Sequence, residues 1–97
     1  MTKEEFRKLA EQTLILDGAT GSNLMASGMP RGICTETWVI DHKDIIQNLQ
    51  RAYIKAGSQV IYAPTFGGNR LNLEKHGLAD RIEEINRTLV GYSKELA

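Results

Sequence analysis

Two short apolar runs constrain this chain most. Thr13-Leu14-Ile15-Leu16 and Ser58-Gln59-Val60-Ile61-Tyr62-Ala63 each pass directly into a polar, glycine-bearing segment. Their apolar cores show no alternation of polar and apolar residues, so as strands they would have no solvent face. A run apolar on both sides suits a strand covered on both faces, as in a parallel sheet. Stretches with helical periodicity lie between and beyond the two runs. Strands alternating with amphipathic helices predict right-handed βαβ units, so the expected class is α/β.

The helical stretches carry their own punctuation. Thr2 and Glu5 match a capping box, and Phe6, Leu9 and Ala10 follow at helical spacing, which predicts a helix over Lys3–Gln12. Gly18 to Thr37 reads as an irregular loop with one or two helical turns at Ser22–Ser27. Asp41 reads as the cap of a helix with Ile45, Leu49, Ala52, Tyr53 and Ala56 on its core face and Lys43, Gln47, Gln50 and Lys55 elsewhere. Gly57 follows it, at the position where a left-handed residue ends a helix. Asn69 opens a third helix with Leu71 and Leu73 inside and Gly77 at its end. Asp80 and Glu83 repeat a cap-like pairing before the stripe Ile82, Ile85, Leu89, Tyr92 and Leu96, whose steps of three and four mark a core-facing helix.

At 97 residues the chain holds one domain. Two parallel strands leave open edges and uncovered faces. A complete (β/α)8 barrel takes about 250 residues. Residues 1–97 are therefore expected to be the first β/α units of a TIM (β/α)8 barrel, incomplete in this chain. Such a piece is either a fragment or a homo-oligomer that finishes its sheet through exposed edges.

Charge narrows the partners. Twelve basic and 12 acidic residues give a formal net charge of +0. That argues against a sequence-independent nucleic-acid binder and against a polybasic membrane anchor. No apolar run reaches the roughly 20 residues that span a bilayer, and Glu4 and Glu5 are unlike a secretory signal. The single cysteine, Cys34, excludes an internal disulfide and fits a reducing, cytoplasmic setting.

Ligands of α/β sheets bind at the carboxyl ends of strands. Asp17-Gly18-Ala19-Thr20-Gly21-Ser22-Asn23 and Ala63-Pro64-Thr65-Phe66-Gly67-Gly68-Asn69 occupy those places. Asp17 can hold an ammonium group by a charge-assisted hydrogen bond. The N–H groups of residues 18–22 can hold a carboxylate or a phosphate. Together they suit a zwitterionic amino acid. The competing reading has Asp17 closing an Asx-type turn within its own loop. Gly18-x-x-Gly21 is neither a dinucleotide fingerprint nor a P-loop, which leaves a small phosphate-binding protein as a weaker alternative. Cys34, His42 and His76 fit no zinc spacing. Trp38 reads as a staple tying its loop to the next helix, with a site-lining role as the other reading.

Leu14-Ile15-Leu16-Asp17-Gly18-Ala19-Thr20-Gly21-Ser22-Asn23-Leu24 resembles the opening segment of the homocysteine S-methyltransferase family. Tyr53 through Arg70, with Leu71, Lys75 and His76-Gly77-Leu78, is similar to that family's second segment. The likeness is greatest to the homocysteine-binding part of the cobalamin-dependent branch. The resemblance implies a TIM barrel that transfers a methyl group to the zinc-bound thiolate of homocysteine, giving methionine. It implies zinc and cobalamin as cofactors of the whole protein, a methylcobalamin or methyltetrahydrofolate type of donor, and a separate donor domain as partner. It places Asp17 near the homocysteine amino group, Gly18 at the amino-acid end, and Thr65 and Asn69 at the same mouth. Trp38 resembles a tryptophan on the methyl-donor side of the betaine branch. Cys34 does not match the family's zinc cysteines, so this chain alone is expected to hold no zinc and no cofactor, to have no catalytic residue, and to be inactive. The rival to an enzyme portion is a self-associating α/β interaction module.

Overall fold

The computed structural model describes residues 1–97, and it is built of helices. They run α1 (Lys3–Ala10), α2 (Gly21–Ala26), α3 (Thr35–Asp41), α4 (Lys43–Ala56), α5 (Arg70–Lys75), a 3-10 turn (Ala79–Arg81) and α6 (Ile82–Lys94). There is no strand and no sheet. The expected α/β class, and with it the expected portion of a TIM barrel, is overturned by this architecture.

The two apolar runs do meet, but only at one residue pair. Leu16 and Val60 form a single parallel bridge. The Asp17 N–H donates to the Val60 carbonyl at 3.0 Å and the Gln59 N–H to the Ile15 carbonyl at 2.7 Å. No third segment extends this contact, and one bridge does not propagate a ladder. Neither run is sealed on both faces: Ile15, Leu16 and Tyr62 are all exposed. A continuous apolar run cannot reveal by itself whether anything covers it, and here the helices cover one another.

The core is helix on helix. Residues Leu24, Val39, Ile46, Leu73, Ile85 and Leu89 are all at most 1% exposed. Burying each such side chain is worth about 1.5–3 kcal/mol. Helices α3, α4 and α6 pack against one another, α2 rests on α4, and the 3-10 turn joins α5 to α6. α1 buries none of its residues. Its capping box is formed as expected, with the Glu5 N–H donating to Thr2 Oγ1 at 3.1 Å and the Thr2 N–H to Glu5 Oε2 at 3.2 Å. The helix ends at Ala10, short of the expected Gln12, because Glu11 and Gln12 close a turn onto Arg7, Lys8 and Leu9.

Within the stretch expected to be an irregular loop, α2 supplies the helical turns expected at Ser22–Ser27, and α3 begins before the stretch ends. Thr35–Asp41 is helical, so Asp41 ends α3 instead of capping α4. The break falls at His42, with φ −129° and ψ 49°. The face of α4 is also rotated from the expected one. Ile46, Gln47 and Gln50 are buried, Ile45, Leu49 and Tyr53 are half-buried, and Ala52 and Ala56 are exposed. The two glutamines can be buried because each finds partners. Gln47 Nε2 donates to the Tyr92 carbonyl at 3.0 Å and to Glu95 Oε2 at 2.7 Å. Gln50 Nε2 donates to the Tyr62 carbonyl at 3.0 Å, and its Oε1 accepts from Ser93 Oγ at 3.1 Å. A buried amide is tolerated when its donors and acceptor are satisfied.

Two helix ends follow the expected chemistry. Gly57 has φ 118°, in the left-handed region that side-chain-bearing residues avoid, and it ends α4. Asn69 caps α5, its Oδ1 accepting from the Asn72 N–H at 2.9 Å. Leu73 of that helix is buried, whereas Leu71, expected inside, is 71% exposed. The stripe of α6 is as expected: Ile85 and Leu89 are buried, and Ile82, Tyr92 and Leu96 half-buried. The Asp80–Glu83 cap does not form. Asp80 lies in the 3-10 turn, α6 starts without a side-chain cap, and Arg81 pairs with Glu84 at 3.1 Å instead.

Candidate functional site

A cleft of about 790 Å³ opens where the starts of α2 and α3 face the segment 62–67 and α5. This is the size of a small-molecule site. Thr65 and Asn69 both line it. Thr65 sits at a tight turn, its N–H donating to the Ala63 carbonyl at 2.8 Å and its carbonyl accepting from the Gly68 N–H at 3.0 Å. Asn69 is held by its capping bond at the start of α5.

Asp17 and Gly18 are not in the lining; they stand behind it. Asp17 Oδ2 accepts the Tyr62 N–H at 3.1 Å, tying the first segment to one wall of the cleft. Its carboxylate thus reaches a residue far along the chain. Gly18 packs beside Tyr53: a Cβ at position 18 would lie 2.9 Å from the Tyr53 hydroxyl oxygen. The same hydroxyl donates to the Ala19 carbonyl at 2.7 Å, and Asn23 Nδ2 donates to that carbonyl at 2.8 Å. The loop after Asp17 is therefore clamped at Ala19 by α2 and α4 together.

Three residues that shape the cleft were not singled out in the sequence. Tyr53 was read only as a core residue, yet it fixes the Gly18 loop. Asn72 Nδ2 donates to the Gly67 carbonyl at 2.8 Å and reaches Glu36 Oε1 at 3.5 Å. Glu36, in the first turn of α3, is buried on the cleft wall, and its Oε2 accepts from the Gly67 N–H at 3.3 Å. Helical spacing carried a signal for Glu36. It precedes Val39 and Ile40 by three and four residues, which places a carboxylate on the core face of a helix.

The remaining candidates behave differently. Trp38 lies within α3, not in a loop; it packs against the core and stacks on His42 with ring centroids 3.8 Å apart. His42 is half-buried, and its Nδ1 lies 2.7 Å from the Trp38 carbonyl. Cys34 is buried on the cleft wall, its Sγ 3.8 Å from Glu36 Oε1. His76 lines the cleft and is exposed. No three His, Cys, Asp or Glu side chains converge as a metal-ligand group. No helix is long and apolar enough to cross a membrane.

Comparison with known proteins points in one direction. The sequence profile described as homocysteine S-methyltransferase matches residues 14–97, which includes every residue of the cleft. A methionine synthase of Mycobacterium tuberculosis (strain ATCC 25618 / H37Rv) is 28% identical over 95 residues, covering 92% of this chain and 8% of that protein. A methionine synthase of Mycobacterium leprae (strain TN) is 29% identical over 85 residues, covering 81% of this chain and 7% of that protein. The chain thus spans only a small part of the length of these curated relatives.

Proposed function

Because the chain belongs to the homocysteine S-methyltransferase family, we propose that its cleft binds homocysteine and serves methyl transfer to the homocysteine thiol, giving methionine. The observation that carries this reading is the family match, which runs unbroken through both segments that flank the cleft. In it, Asp17 lies near the amino-acid end from behind the cleft wall, through its bond to the Tyr62 N–H, and Gly18 leaves room for the ligand to approach the backbone. Thr65 and Asn69 hold the same amino-acid end from the cleft wall.

Methyl transfer to sulfur needs a thiolate. A free thiol with a pKa near about 8.5 is mostly protonated at neutral pH. Zinc supplies the thiolate in the chemistry the family implies, but the residues of this chain do not fit a zinc site. Cys34 is the only cysteine and no metal-ligand group converges. Nor does a cleft of about 790 Å³ match a corrin with its nucleotide tail. The share of the reaction assigned to these 97 residues is binding and orientation of the amino acid, with a donor of methylcobalamin or methyltetrahydrofolate type brought by a partner domain.

Calorimetric titration with L-homocysteine tests the reading. Saturable binding, weakened by T65A and by N69A, is expected, with no methionine formed when methylcobalamin is added. Absence of binding, or binding indifferent to both substitutions, overturns it. The exposed side chains of Ile15, Leu16 and Tyr62 beside the single bridge favour a second reading, in which copies of the chain associate through this edge. Sedimentation velocity giving only monomer at high concentration would remove it.

A further inference from the structure

Glu36 is 4% exposed and lines the cleft. A carboxylate is rarely this buried without a counter-ion, because desolvating the charge costs several kcal/mol. The ion pairs of the protein join Lys43 to Glu95, Arg81 to Glu84 and Arg87 to Glu83; none includes Glu36. No lysine or arginine lines the cleft. What Glu36 has instead are three long contacts, from the Gly67 N–H at 3.3 Å, Asn72 Nδ2 at 3.5 Å and Cys34 Sγ at 3.8 Å. Bonds to a carboxylate from a full positive charge are commonly about 2.7–2.9 Å. The first-turn position in α3 adds only a partial positive charge.

The carboxylate of Glu36 has hydrogen-bond donors, but it faces the cleft with no lysine or arginine paired to it, so a cationic ligand group can join them. We propose that this group is the cationic amino group of the ligand, and that Glu36 is the residue by which the cleft selects small amines and amino acids. Other features of the cleft agree. Gly67 brings its backbone close to the carboxylate; a Cβ there would lie 2.6 Å from Glu36 Oε1. Phe66 and Tyr62, 100% and 64% exposed, put aromatic surface on the cleft wall, which suits a thiol-bearing or other apolar chain. The inference rests on the reading of the cleft as an amino-acid site and adds the residue that recognises charge within it.

The test uses the whole chain, its E36Q variant and its D17N variant. The ligands are L-homocysteine, its deaminated analogue (a sulfanylbutanoate) and its decarboxylated analogue (an aminopropanethiol). The wild type is expected to bind homocysteine about tenfold more tightly than the deaminated analogue, the size of one charge-assisted contact. E36Q is expected to reduce that preference to about twofold or less. A preference that survives in E36Q, or is lost in D17N alone, overturns the inference while the homocysteine reading stands.

If homocysteine does not bind at all, the functional reading fails. The aminopropanethiol then still decides the inference, by binding to the wild type and not to E36Q, or by failing to. Should E36Q not fold, the wild type is followed by NMR at the Gly67 amide and the Asn72 side-chain amide. Their signals are expected to move with the aminopropanethiol and not with the sulfanylbutanoate; equal response to both contradicts the proposal.

Discussion

The Tyr53 hydroxyl donates to the Ala19 carbonyl oxygen at 2.7 Å, and through that bond the last turns of α4 set the position of the loop after Asp17. A net hydrogen bond of this kind contributes about 0.5–1.5 kcal/mol. Y53F is expected to lower stability by about that amount. Homocysteine affinity should fall several-fold, since the Ala19 carbonyl loses one of its two side-chain donors and the loop after Asp17 is held by Asn23 alone. Urea denaturation and calorimetry check the two effects; unchanged affinity would show that the clamp does not position the ligand loop.

Gly67 answers to space, not to backbone conformation. A Cβ there would sit 2.6 Å from Glu36 Oε1 and 2.7 Å from Asn72 Nδ2. G67A must push one of these side chains aside, at a cost of about 1–3 kcal/mol. By contrast, nothing lies within 4 Å of a Cβ at Gly21, so G21A is expected to be close to neutral or mildly stabilising as a helix residue. Thermal unfolding of the two variants should rank them in that order.

Gln50 joins α4 to both α6 and the second apolar segment, through Ser93 Oγ and the Tyr62 carbonyl. Q50A leaves a buried hydroxyl and a carbonyl without their partner, a loss of about 1–3 kcal/mol. The same substitution should loosen Tyr62 and the cleft wall it belongs to. Faster amide exchange at residues 62–65 than in the wild type is the expected signature.

The pH dependence of stability has an identifiable contributor. The Gln47 amide and the Lys43 ammonium hydrogen-bond the Glu95 carboxylate and hold its pKa below the ordinary carboxylate value. A depressed folded-state pKa means that the charged form is bound more favourably in the native state. Its stabilising contribution is therefore present above the ordinary carboxylate range and is lost as pH falls through the lowered value. E95Q should differ from the wild type at neutral pH and converge with it in acid. Added salt should shrink the difference, because the Lys43–Glu95 pair is solvent-facing.

The parts of this fold legible in the sequence are those decided locally. The capping box at Thr2 and Glu5, the left-handed Gly57, the Asn69 cap and the stripe through Ile85 and Leu89 depend on residues within a few positions of one another. What was not legible depends on distant partners. The burial of Gln47 and Gln50 requires Tyr92, Glu95, Ser93 and Tyr62, so hydrophobicity alone turned α4 to the wrong face. The two apolar runs have strand composition, yet strand formation depends on neighbours, and each run finds the other at one pair only. In the cleft, the segment Ala63–Asn69 stands out for its glycines after an apolar run, and it is the resemblance to the family that singles out Thr65 and Asn69 within it. Glu36 was hidden because its partners, Gly67 and Asn72, are more than thirty residues away.

The central claim is that the segment at 65–69, backed by the segment at 17–18, forms one homocysteine site. The most direct measurement is an NMR titration of the isotopically labelled chain with L-homocysteine, following every backbone amide. Saturable shifts concentrated at Gly18, Thr65, Gly67 and Asn69, with α1 unaffected, are what the account predicts. Shifts absent from both segments, or confined to α1 and the outer face of α6, would contradict it.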